Sequence, residues 1–201
     1  MAAATVLAAF IVVGLLDSLH YRARLDAKPG EPVRYAVEVN SALDALLSVD
    51  YPAERLRIVP IDDRSKDDTR AIMQEYTDAY PDRIFPHLRD GGTPGKAAAL
   101  AEAMSLNTGD IYMVFDADYI PGPRLLKQLA APFFDAEVGA VMGRVVPLNV
   151  GASLLTRLLD LERAGGYQVD QQARMNLRLI PQYGGTVGGV RRIALEQVGG
   201  W

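Results

Sequence analysis

Three groups of residues in this chain are of types and spacings that can do chemistry. Asp116 and Asp118 stand one residue apart, directly after the apolar run Ile111, Tyr112, Met113, Val114 and Phe115. Two hard oxygen ligands at the end of a strand suit Mg2+ or Mn2+, ions that join a carboxylate to a substrate phosphate. Asp62 and Asp63 follow the strand-like stretch LRIVPI over residues 56–61. Lys96 closes a glycine-rich stretch, GGTPGK, and opens an alanine-rich one. A helix N-terminus bearing a lysine is a natural phosphate site. Each piece also has a plainer reading. Asp is common in turns, so either acidic pair can be a solvated strand-to-loop connection. Lys96 can be a surface residue in a first helical turn, although that is a poor place for a cation without an anion nearby.

The elements that must position these residues follow from periodicity. An unbroken apolar run rich in β-branched and aromatic residues reads as a strand buried on both faces, which assigns 111–115 to a parallel sheet; 56–61 is a second strand, weakened near its end by Pro60. Weaker strands are expected over 33–37, 83–87 and 138–147. Helices are expected over 40–49, with Asn40 or Ser41 as N-cap, over 96–106 and over 123–134. Another follows Thr69, with Ile72, Met73, Tyr76 and Ala79 as its apolar stripe and Ser65 and Asp68 in a capping arrangement. Alternating strands and helices indicate an α/β domain, a mainly parallel twisted sheet flanked by helices. Ligands bind such sheets beyond the carboxyl ends of the strands. The loops carrying Asp62 and Asp63, then 91–96, then Asp116 and Asp118 should therefore open on one edge. Acidic residues, a lysine at a helix start and a carboxylate pair in one crevice specify a nucleoside diphosphate held with a divalent cation. No G-x-G-x-x-G or Walker A motif is present, so the ordinary dinucleotide and ATP fingerprints are missing.

Composition narrows the function classes. The chain has 201 residues, 49% of them hydrophobic and 23% charged, enough for one domain with a sizeable core. A formal charge of −4 argues against a dedicated nucleic-acid binder. With no cysteine, thiol nucleophiles, disulfides and Cys-based zinc sites are excluded. The two histidines, His20 and His87, have no partner that would make a Ser-His-Asp hydrolase. Residues 2–16 are apolar apart from Thr5 and Gly14, and Arg22, Arg24 and Lys28 follow them. Positive charge on that side fits a membrane anchor better than a cleaved signal peptide. Residues 1–21 are thus expected to form a hydrophobic anchor helix, 22–32 a linker and 33–201 the catalytic domain. Leu154, Leu155, Leu158, Leu159 and Leu161 mark a leucine-rich helix. It reads either as core packing or as an amphipathic helix on a membrane surface.

Several short stretches taken in order resemble the membrane-associated glycosyltransferases of family 2, which have the GT-A fold. They are DYP at 50–52, IDDRSKDDT at 61–69, GGTPGKAAAL at 91–100 and FDAD at 115–118, then QYGGTVGGVRR at 182–192 and VGGW at 198–201. The likeness extends to cellulose-, chitin- and hyaluronan-synthase-like enzymes. It implies inverting, metal-dependent transfer of a sugar from a nucleotide-sugar donor, a UDP-sugar, to a saccharide or lipid-linked acceptor, on the cytoplasmic side of a cell membrane. Under that resemblance Asp63, with Asp62 beside it, accepts the base N3–H, and Lys96 lies at the diphosphate. Asp116 serves the ribose or diphosphate side, Asp118 takes the metal, Mg2+ or Mn2+, and Gly184, Gly185 and Thr186 form the loop by the donor sugar and acceptor. No residue is assigned as general base, which the family carries in a motif expected beyond Trp201; the chain thus reads as a partial catalytic domain. The family's nucleobase loop after the first strand looks shortened, because the strand at 33–37 passes almost directly into the helix that starts at 40. Two other readings stay open. One is a nucleotide-sugar-binding fragment without turnover. The other is a metal-dependent nucleotidyltransferase, which also uses a carboxylate pair.

Overall fold

The computed structural model describes Leu7–Val13 and residues 36–201. Six strands form one sheet: β1 (Leu7–Val13), β2 (Leu56–Asp63), β3 (His87–Arg89), β4 (Ile111–Asp116), β5 (Ala140–Met142) and β6 (Gly188–Arg191), in the order β3-β2-β1-β4-β6-β5. Pairing is parallel from β3 to β4 and antiparallel where β6 meets β4 and β5. The sheet is therefore parallel over the part that carries the acidic residues and mixed overall.

The largest correction to the sequence reading lies at its centre. Leu7–Val13 is a strand between β2 and β4, not part of an anchor helix. A strand with parallel neighbours on both sides needs an unbroken apolar run, which is also what a membrane helix needs. No described helix is long and apolar enough to cross a membrane. The remaining anchor residues, 1–6 and 14–21, and the linker over 22–32 lie outside the described residues. The strand expected over 33–37 is also displaced, because helix α1 (Ala36–Leu47) has already begun by Val37. Asn40 and Ser41 then lie inside that helix rather than at its cap. With β1 as the first strand, the shortening inferred for the loop after it does not hold.

Both faces of the sheet are covered, and the continuous apolar runs resolve into a period of two. Ile58, Ile111, Met113 and Phe115 face α1, α2 (Thr69–Ala79) and α4 (Leu125–Ala130), packing on Val39, Leu43, Leu46, Met73 and Leu126. Val59, Ile61, Tyr112 and Val114 face α3 (Lys96–Leu106), packing on Ala99, Leu100, Ala103 and Met104. The two alanines let α3 approach the sheet closely and so fix the height of its first residue, Lys96. The helix expected over 123–134 is α4 plus a 3₁₀ turn, Ala131–Phe134. The strand expected over 83–87 pairs at His87–Arg89, with Ile84 making a single bridge to Ile58. That expected over 138–147 shrinks to β5.

Candidate active site

Register places the acidic residues at one level. Val13 of β1 is opposite Asp62 of β2, and Val12 is opposite Asp116 of β4. The carboxyl ends of all three strands thus open on the same edge, where the ligand crevice of a parallel sheet lies. The chain leaves β1 there as well.

Asp62 and Asp63 share a loop but differ in surroundings. Asp62 is fully buried; its Oδ1 accepts from the Ser65 N–H at 3.0 Å and its Oδ2 from Arg70 Nε at 2.6 Å. Arg70 reaches on to the Asp90 carboxylate and the Arg89 carbonyl, so Asp62 ties α2 to the end of β3. Asp63 accepts at Oδ1 from Arg89 Nη1 at 2.8 Å and from Arg64 Nε at 3.1 Å, and at Oδ2 from the Gly95 N–H at 3.0 Å. Arg89 is itself buried, donating to Glu102 at 2.9 Å and to the Thr93 carbonyl at 2.9 Å. This guanidinium, which no sequence motif marked, joins Asp63, the glycine loop and α3. The capping expected of Ser65 and Asp68 is absent; Asp67 Oδ1 instead accepts from the Thr69 N–H at 3.1 Å.

The glycine loop delivers Lys96 to β4. Gly95 has φ +116°, a conformation that L side chains rarely adopt, and it caps α3 while donating its N–H to Asp63. Lys96 is the first residue of the helix, and its ammonium pairs with Asp116 Oδ1. That carboxylate is the anion that makes a cation tolerable at a helix N-terminus. Asp118 is exposed, one turn position beyond the strand. Tyr119, next to both carboxylates, has its phenol pushed up, first by burial and then by Asp118 and Asp116.

The loop before β6 reaches the same place. The Thr186 hydroxyl accepts from the Asp116 N–H at 3.3 Å, so Thr186 is brought to the carboxylate pair as expected. Gly185 has φ +71°, and Val187, buried and β-branched, is held at φ +46°. Such strain in a packed residue beside a polar cluster marks a position that the surrounding structure over-determines. Gly184 is exposed on the outer side of this loop. Arg191 and Arg192 lie away from the crevice, donating to the carbonyls of Phe133, Val138 and Gly109.

Tyr183 closes the back of the loop. A Cβ on Gly188 would stand 2.7 Å from its ring and 2.8 Å from the Val141 carbonyl, so only glycine lets β6 pass. The Tyr183 hydroxyl is buried without a hydrogen-bond partner among the described residues, and burial pushes its pKa up to about 12. A raised pKa means that the folded state keeps this proton after the unfolded state has lost it. Stability should therefore fall between pH 10 and 12, and Tyr183→Phe should remove up to about 2 kcal/mol of that decline in thermal melts. At pH 7 the variant should be at least as stable as the parent, since an unpaired buried hydroxyl is lost.

A family model described as glycosyl transferase family 2 matches residues 36–199. The chain belongs to that family. A probable glycosyltransferase of Bacillus subtilis is 30% identical over 168 residues, covering 82% of this chain and 40% of the relative. The beta-monoglucosyldiacylglycerol synthase of Synechocystis is 32% identical over 163 residues, covering 81% and 34%. This family 2 chain thus spans well under half the length of the curated relatives it matches. A mannosyltransferase from Pyrobaculum calidifontis, solved with GDP-Man and Mn2+, superposes with a TM-score of 0.73 at 22% identity, covering 100% of this chain and 48% of that one. Glucosyl-3-phosphoglycerate synthase from Mycobacterium tuberculosis, solved with Mn2+, UDP and glucosyl-3-phosphoglycerate, gives 0.56 at 18%, covering 95% and 58%. These likenesses show the α/β fold of the GT-A type.

In this family 2 domain the donor set fits a divalent cation completed from outside. Asp116 and Asp118 offer hard oxygens at the crevice, and no group of three metal-ligating side chains stands among the described residues. Mg2+ and Mn2+ are commonly held that way, by one or two carboxylates plus substrate phosphates and water.

Proposed function

We propose that this domain binds a nucleotide-sugar, a UDP-sugar, with Mg2+ or Mn2+, and transfers the sugar with inversion to a saccharide or lipid-linked acceptor. The observation that carries this reading is the convergence of Lys96, Asp116 and Thr186 beside Asp118 at one sheet edge. A carboxylate pair alone serves many reactions. A carboxylate pair that already pairs with a lysine at a helix N-terminus offers both the cation ligands and the positive end that a diphosphate needs. The ligands in the two structural neighbours, GDP-Man or UDP with Mn2+, support the same class of donor.

In this reading Asp118 and Asp116 hold the cation, which when bound stabilises the negative charge that builds on the departing diphosphate. Lys96 shifts its ammonium from Asp116 towards the diphosphate. Asp63, oriented by Arg89 and the Gly95 N–H, accepts from the nucleobase once the part-exposed Arg64 swings off its Oδ1. Asp62 supports that loop from behind through Arg70. Thr186, fixed to the backbone of Asp116, and Gly184 and Gly185 form the wall on the sugar side. The match to glycosyl transferase family 2 over residues 36–199 favours sugar transfer over nucleotidyl transfer.

Calorimetry with UDP in the presence and absence of Mn2+ tests the donor site. Micromolar binding that requires the metal is expected, and no binding of any nucleoside diphosphate with metal would sink the reading. Release of UDP from a panel of UDP-sugars tests transfer. Binding without release in the presence of acceptors would leave a nucleotide-sugar-binding domain and remove the catalytic part of the proposal.

A further inference from the structure

Helix α5 (Leu154–Gly165) is amphipathic the wrong way round for a helix that packs on its own domain. Its half-buried positions are Thr156, Asp160 and Ala164, one turn apart, with Gly165 beside them, continuing to Tyr167 in the π-helical turn Gly166–Gln171. Two of its polar side chains, Thr156 and Asp160, point at the protein. Asp160 pairs with Arg144 at 3.4 Å, and the Thr156 hydroxyl donates to the Val150 carbonyl at 3.0 Å. Its leucines point away: Leu154, Leu155, Leu158, Leu159 and Leu161 are between 44% and 73% exposed. The expectation that these leucines pack into the core is therefore overturned. Soluble surface helices put the apolar stripe inward.

Past α6 (Gln172–Asn176) the chain carries a second apolar stretch, in which Leu177, Leu179 and Ile180 are 55% to 87% exposed. Arg178 sits among them at φ +56°. Charge selects what covers this face. Between residues 144 and 182 there are five arginines and three carboxylates, an excess of cations in a chain whose formal charge is −4. No lysine occurs there. Leucines bounded by arginines form the pattern of a segment that lies in the plane of a bilayer interface, with long cationic side chains reaching the headgroups. An acidic protein is repelled by an anionic membrane except where such a patch faces it.

We infer that α5 and the 177–180 stretch seat on an anionic lipid surface, and that this holds the carboxyl edge of the sheet beside the membrane. The link to the site runs through Arg144, which pairs with Asp160 of α5 and follows Gly143, whose N–H donates to the carbonyl of Val187, the residue after Thr186, at 2.7 Å. The inference goes beyond the donor chemistry and does not depend on it, because the surface is apolar whether or not a nucleotide binds.

Cosedimentation of the full chain with vesicles tests it. Phosphatidylcholine vesicles containing a third phosphatidylglycerol should carry the protein down at low salt, and pure phosphatidylcholine vesicles at least fivefold less. The triple variant Leu155→Glu, Leu158→Glu, Leu161→Glu should lose at least tenfold in bound fraction. Because all three side chains are exposed, its circular dichroism and melting midpoint should match the parent. Arg157→Gln with Arg178→Gln should weaken binding severalfold and flatten its dependence on salt. Equal sedimentation of the leucine variant, no binding to anionic vesicles, or a concentration-dependent dimer that the leucine variant abolishes without any vesicle binding would each overturn the inference. Calorimetry with UDP and Mn2+ on the same variant reports the donor site separately.

Discussion

Arg89→Ala should destabilise the domain by about 3–5 kcal/mol, the range seen when one partner of a buried ion pair is removed. The arginine side chain is 2% exposed and the Asp63 carboxylate 3%, so water cannot replace the missing charge. The loss spreads through the network. Asp63 would keep only Arg64, itself a third exposed, and the Gly95 N–H, while Glu102 would lose its closest cation. Urea unfolding followed by circular dichroism measures the change. The double variant Arg89→Leu, Asp63→Leu should recover part of it, because the buried charge of Asp63 is then no longer left without its partner. A loss below about 1 kcal/mol for Arg89→Ala would show that the network is solvated and does not fix the loop.

Asp118→Ala should weaken UDP binding in the presence of Mn2+ by at least about a hundredfold, equivalent to about 2.7 kcal/mol. Binding measured without metal should change little, since the exposed carboxylate acts through the cation. Lys96→Met should behave differently. It should reduce UDP affinity about tenfold with or without metal and leave the affinity for uridine unchanged, because it removes only the charge facing the diphosphate. These two patterns separate a metal ligand from a phosphate ligand by calorimetry alone. If both variants lost uridine binding as well, each would be acting through the fold of the crevice.

How much of this was legible in the sequence depends on how unique each residue pattern is. Helix α3 was readable to the residue, since a glycine loop, a lysine and an alanine-rich stretch leave few alternatives. The carboxyl edge followed from strand order, and the contacts of Asp63 with Gly95, of Lys96 with Asp116 and of Asp116 with Thr186 bear out that the three loops meet. β1 was not readable. Its seven apolar residues satisfy a membrane helix and a central strand equally well, and only its neighbours decide. Arg89 escaped because a single arginine has no period; its position just past an expected strand on the acidic edge was the available signal. Asp62 and Asp63 looked equivalent as neighbours, yet adjacent residues at a strand end point to opposite faces, so one is walled in by Arg70 and the other meets the glycine loop. For α5 the periodicity gave the helix and its stripe but not the side that faces the protein.

The central position of β1 also bears on how the domain assembles. Leu7 must find both Leu56 and Ile111. β1 therefore leaves the ribosome well before β4, its partner about a hundred residues later, and closing that chain carries an entropic cost before this pairing repays it. Until β4 arrives, the other edge of the nascent parallel pair is open, a template for another chain's backbone. Refolding from denaturant should accordingly be slow for a domain of this size, and its yield should fall as protein concentration rises.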